Sequence, residues 1–119
     1  MMLTKHILSE HSEQVAFVRW FRTKYPNIII FAIPNGGARG DDPKTCSIRG
    51  KILKDEGVLR GVPDLFIPEL KLFIEMKSEI GVLSKYQSEC IAQLSRVGYQ
   101  TFVCHGCTEA IEKVSSLSF

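Results

Sequence analysis

Apolar and polar positions alternate along the chain in two rhythms. Phe17, Val18, Phe21 and Tyr25 recur at helical spacing, which predicts a helix over 10–25 with that stripe facing the core. Ser9 or Ser12 can cap its start, and Pro26 with Asn27 ends it. The run "IIIFAI", 28–33, is rich in branched residues and predicts a buried strand. "PNGGARGDDP", 34–43, reads as a loop. A helix follows over 43–56, with Asp42 as cap, Pro43 at its first position and Gly57 beyond its end. Two strands, 64–67 and 71–77, flank the short turn "PELK". A helix over 84–97 opens on a capping box, Ser84 with Gln87, and closes at Gly98. A strand over 100–104 and a helix over 108–117 complete the chain. The order α-β-α-β-β-α-β-α predicts an α/β fold, a mixed central sheet flanked by helices.

Composition changes this picture little. A chain of 119 residues reads as one domain, 1–119, and 45% hydrophobic content suffices for a core. The net charge of +2 permits a nucleic-acid partner without requiring one. No apolar run approaches a membrane span, and the polar start lacks the apolar stretch of a signal peptide. The expected setting is cytoplasmic, where Cys46, Cys90, Cys104 and Cys107 stay reduced. "CHGC", Cys104 to Cys107, has the spacing of a redox dithiol between a strand and a helix, so a redox protein is one reading. The other is two small apolar residues at a strand end. His6, His11 and His105 show no ligand spacing.

The candidate chemistry lies in "GVPDLFIPELKLFIEMK", 61–77. With "PELK" as the turn, Ile67 faces Leu72 and Asp64 sits opposite Glu75. Cross-strand neighbours are only about 5 Å apart, and like charges there repel. Alternation places Glu75 and Lys77 on the face of Phe73. Two close carboxylates call for a shared proton or a cation. A hard ion such as Mg²⁺ suits Asp64, Glu75 and the backbone carbonyl of Met76, with Lys77 left to hold a water or face developing negative charge. The competing reading is a solvated sheet face on which Lys77 pairs with an acid, and the residues themselves leave the two open.

Other residues head toward the same end. Glu10 and Gln14 extend the Phe17/Phe21 stripe, with Glu13 as the competing acid on that helix. First-turn acids also suit a helix macrodipole. Gln87 heads the stripe continued by Cys90, Ile91 and Leu94. Asn35, Arg39, Lys44, Arg49, Lys51, Lys54 and Lys85 are candidate contacts to a nucleic-acid backbone, or ordinary solvated residues. "NGGARG" is no P-loop, because the Gly-Lys-Ser/Thr ending is missing.

"GVPD", ten residues and then "EMK" resembles the PD-(D/E)xK nuclease motif. With "SEHSEQVAFVRW", "FAIPNGG", "EGVLRGVPDLFIP", "GVLSKYQ" and "GYQTFVCHG" in order, the chain more closely resembles the VRR-NUC (virus-type replication-repair nuclease) domain. The resemblance implies a restriction-endonuclease-like fold and metal-dependent cutting of DNA. It implies Asp64 and Glu75 as ligands of Mg²⁺ or Mn²⁺, Lys77 as the catalytic lysine, Gln87 as the glutamine after the strand, and Glu10, with Glu13 as the alternative, as the helix acid. Small members of bacterial and viral origin act as homodimers on branched DNA such as four-way junctions. The rival from another class is a DNA-binding module that keeps the fold and does not cut.

Overall fold

The computed structural model of the protein describes residues 9–34 and 43–119; in the helix that opens the second segment it describes the side chains of Ile48 and of Gly50 onward. Asp42, Asn35 and Arg39 lie outside the described residues, as do the side chains of Lys44 and Arg49.

The elements run α1 (Glu10–Lys24), β1 (Phe31–Ala32), α2 (Pro43–Asp55), β2 (Leu65–Ile67), β3 (Leu72–Lys77), α3 (Lys85–Arg96), β4 (Gln100–His105) and α4 (Cys107–Ser115). A single 3₁₀ turn, Pro68–Leu70, joins β2 to β3 and ends on Lys71 in the left-handed region, φ 50°. The four strands form one mixed sheet in the order β1-β2-β3-β4. β1, β2 and β3 are antiparallel neighbours, whereas β3 and β4 are parallel. The register Leu65↔Ile74, Phe66↔Phe73 and Ile67↔Leu72 is the one the turn predicted.

One element is much shorter than its sequence suggested. "IIIFAI" yields only the two-residue β1, at the edge of the sheet. Ile30 is buried, but Ile29 is 67% exposed and Phe31 is also exposed. An edge strand has one neighbour and needs only enough ladder to pair with β2; β-branched content does not guarantee burial.

The two faces of the sheet differ. Leu72, Ile74 and Met76 of β3 join Leu65, Ile67 and Cys104 against Phe17 and Phe21 of α1 and Ala110 and Val114 of α4. This is the main core, and burying each such side chain contributes about 1.5–3 kcal/mol. Trp20 and Tyr25 extend it as an aromatic cluster that reaches Phe119. On the opposite face Phe66 stacks on Phe73 with ring centroids 4.3 Å apart, and Tyr99 packs edge-on against Phe73. That face also carries Glu75 and Lys77, toward α3.

Both helix starts next to the site follow their sequence signals. The Ser9 hydroxyl accepts from the Ser12 N–H and caps α1. Ser84 and Gln87 form the full reciprocal box at α3. The helix expected over 84–97 ends at Arg96, and Val97 after it is exposed.

Candidate active site

β3 is the strand that decides the site. It lies between β2 and β4 and is covered on both faces, so all six of its residues are buried, charged ones included. Glu75 is 2% exposed and Lys77 7%. The solvated-face reading of these charges therefore fails: neither side chain meets bulk water. A buried charge is costly unless paired, which makes the partners of these two residues the main question.

Gln87 supplies most of them. Its side-chain N–H donates to Glu75 Oε1 at 2.8 Å, and its Oε1 accepts from Lys77 Nζ at 2.9 Å. The same Oε1 accepts from the Ser84 backbone N–H at 2.8 Å. Two donors on one end and a carboxylate on the other dictate the amide's orientation; the reverse would set donor against donor. The capping box thus serves the strand as well as the helix. Lys77 Nζ stands 3.9 Å from Glu75 Oε1, so the amide, more than the ion pair, holds the two apart in register.

Asp64 approaches from the other side. The regular ladder stops at Leu65↔Ile74, and the Asp64 carbonyl turns to the Ile33 N–H at 2.8 Å. Its side chain accepts from the Met76 N–H at 2.9 Å. Pro63 before it is buried and carries no N–H to place there. Asp64 is thereby pinned beside Glu75, as the register arithmetic predicted, but through a side-chain bond to the strand rather than a ladder pair.

The consequence appears in Glu75. Burial, then the charge of Asp64 beside it, push its carboxyl up to about 8; Lys77 opposes the rise and Glu10 adds to it. Its second oxygen, Oε2, is buried without a hydrogen-bond partner. An orphaned acceptor aimed into an acidic pair is what a cation would satisfy. Among the described residues no three His, Cys, Asp or Glu side chains form a closed metal cage. The donor set offered is two carboxylates, which suits a hard ion that keeps waters or takes phosphate oxygens.

The helix-one acids divide by geometry. Glu13 Oε2 accepts from the Cys107 N–H at the start of α4, while the charge felt by Glu75 is that of Glu10. Spacing on α1 left the two in competition; the docking of α4 separates them. Of the basic candidates with described side chains, Lys51 and Lys54 are exposed on α2 and Lys85 on α3. Lys51 pairs with Asp55 at 2.9 Å, and Lys85 lies 3.9 Å from Glu89, pairs that contribute little at such exposure.

The dithiol reading finds poor support. Cys104 is fully buried, and burial pushes its thiol up to about 11. Cys107 heads a helix, a position that ordinarily lowers a thiol, yet burial and the Glu13 carboxylate raise it. His105, unassigned by spacing, holds the Gly81 carbonyl at 2.9 Å and so ties down the loop after β3.

The features that sequence spacing did not show are Arg60 and Tyr86. The Arg60 guanidinium lies over the Tyr86 ring, 4.2 Å from its centroid, one residue before Gln87. Gly61 packs so closely on the start of α3 that a Cβ would sit 2.5 Å from the Tyr86 carbonyl oxygen. No spacing rule links Arg60 to Tyr86 across the intervening hairpin.

The family model of the VRR-NUC domain matches residues 8–108 of the chain. A solved structure of a "VRR_NUC domain protein" has a TM-score of 0.69 to it, with 22% identity over 92% of this chain and 88% of that one. That likeness bears on the fold. No curated protein matches the chain.

Proposed function

Because the chain belongs to the VRR-NUC family of nuclease domains, we propose that it is a divalent-metal-dependent DNA endonuclease whose centre is Asp64, Glu75 and Lys77. The observation that carries this reading is the buried Glu75, with one oxygen unpartnered and an acid beside it, on the same strand end as a buried lysine.

Asp64 and Glu75 would hold the ion, Mg²⁺ or Mn²⁺, with the Met76 carbonyl as a further ligand and Glu10 joining directly or through water. When bound, such an ion lowers the pKa of water and offsets charge on phosphate oxygens. The protein's own residues do the rest. Asp64 is oriented by the Met76 N–H, so its carboxylate meets Glu75 without rearrangement. Holding the cation requires Glu75 to give up the proton that its surroundings favour, so binding strengthens as pH rises. Lys77, held by the Gln87 oxygen, presents its remaining N–H donors to the attacking water or to the charge developing on the phosphoryl group. Gln87 keeps Lys77 from collapsing onto Glu75.

The finer reading is a homodimer acting on branched DNA such as four-way junctions, with Lys51, Lys54 and Lys85, and from the sequence alone Asn35, Arg39, Lys44 and Arg49, as its backbone contacts. The supporting feature is the resemblance to small family members. A cytoplasmic setting belongs to the same proposal. Among the described residues no helix is long and apolar enough to cross a membrane.

The test is incubation with a junction, a flap and plain duplex, each with Mg²⁺, Mn²⁺ or EDTA, alongside the molar mass in solution. Cleavage in metal that is lost in EDTA and in Asp64→Ala, Glu75→Ala and Lys77→Ala is the expected result. Binding without cutting in either metal would favour the non-cleaving module, and normal rates in Glu75→Ala would overturn the site.

A further inference from the structure

Beside the active site lies a cleft of about 480 Å³ that the proposed chemistry does not use. Its walls include Leu53 and Lys54 of α2, Val58, Leu59 and Arg60 of the following loop, and Tyr86 of α3. The floor is apolar, the rim carries two cations, and the Arg60 guanidinium lies on the Tyr86 ring. Leu59 and Tyr86 are both exposed. A flat cationic plate over an apolar pocket matches a nucleobase with its phosphate: bases stack on aromatic rings and on guanidinium planes, and lysine takes the backbone. An uncharged ligand would leave Lys54 and Arg60 without a counter-charge.

Position narrows the occupant. Arg60 is separated from Asp64 by Gly61, Val62 and Pro63, a span that cannot exceed about 14 Å. Tyr86 precedes Gln87, which touches both Glu75 and Lys77. Gly61, at φ +95° and with no room for a Cβ, locks the loop against the first turn of α3. The Arg60 and Tyr86 sides of the cleft are therefore continuous along the chain with the site.

We propose that this cleft binds an unpaired nucleotide of the DNA substrate next to the bond that is cut. Its base stacks on the Arg60–Tyr86 pair and its phosphate meets Lys54. An uninterrupted duplex keeps its bases stacked inside the helix and cannot fill the cleft, whereas a branch point, where stacking is interrupted, frees a base to leave its pair and enter it. This inference rests on the nuclease reading of the neighbouring site.

The experiment uses DNA carrying 2-aminopurine at a single unpaired position, and the matching plain duplex, both in EDTA so that cutting plays no part. Wild-type protein quenches the 2-aminopurine fluorescence on binding. Tyr86→Ala and Arg60→Ala lose the quenching and bind the unpaired DNA about tenfold more weakly, with little change on plain duplex, whereas Tyr86→Phe keeps both signals. Quenching that persists in Tyr86→Ala and Arg60→Ala, or equal losses on the two DNAs, would overturn the cleft's role even if cleavage in metal is normal. Normal quenching with no cleavage in any metal would instead count against the nuclease reading and leave the cleft in place.

Discussion

At the scale of residues, Glu75 carries the most consequence. Its carboxyl rises from 4.5 to about 8 on folding, chiefly by burial and then by Asp64. The folded chain therefore holds a proton that the unfolded chain releases between those values, and stability falls as pH rises through that window. Without metal, Glu75→Gln removes the ionisation and keeps an oxygen for the Gln87 donor. It should stabilise the protein by roughly 2–4 kcal/mol at pH 8 and by little at pH 4.5, while abolishing cleavage. Thermal melts in EDTA at the two pH values check this; an equal gap at both would refute the sign. That two acids would meet here was legible from the turn and the alternation. The burial of Glu75 and Lys77 was not, because alternation alone left a wet face and a dry site equally open, and only the strand's central place in the sheet removes water from it.

At the scale of elements, the junction between the Gly57–Pro63 loop and α3 sets where Gln87 points. Gly61→Ala forces a side chain into the left-handed region and against the Tyr86 carbonyl, and should cost about 2–4 kcal/mol. Gly98 has nearly the same φ, +98°, but open space around it, so Gly98→Ala should cost only about 1 kcal/mol. Urea midpoints of the two variants separate steric overlap from backbone strain. Only Gly61→Ala should also lower cleavage, by shifting the first turn of α3. The α3 capping box was readable as a local pattern over four residues. The length of β1 was not, since an edge position is a property of the sheet and not of "IIIFAI".

At the scale of the whole molecule, Glu13 links the start of the chain to its last helix. Gly106 offers no side chain to cap α4, and the Glu13 carboxylate takes the Cys107 N–H in its place. Glu13→Ala should cost about 1–2 kcal/mol, and Glu13→Gln less, since an amide oxygen still accepts. Both should lower the Cys107 thiol pKa and speed its labelling by a maleimide, because the Glu13 charge helps to raise it; unchanged labelling would show that burial accounts for the shift. Element order, the hairpin register, the α3 cap and the set Asp64, Glu75, Lys77 and Gln87 were determined by the sequence itself, because each depends on spacing along one or two neighbouring elements. The tertiary structure decided which charges are dry, which of Glu10 and Glu13 is drawn to α4, and that Arg60 meets Tyr86. Each of these depends on which surfaces from distant parts of the chain pack together, and residue spacing carries no record of that.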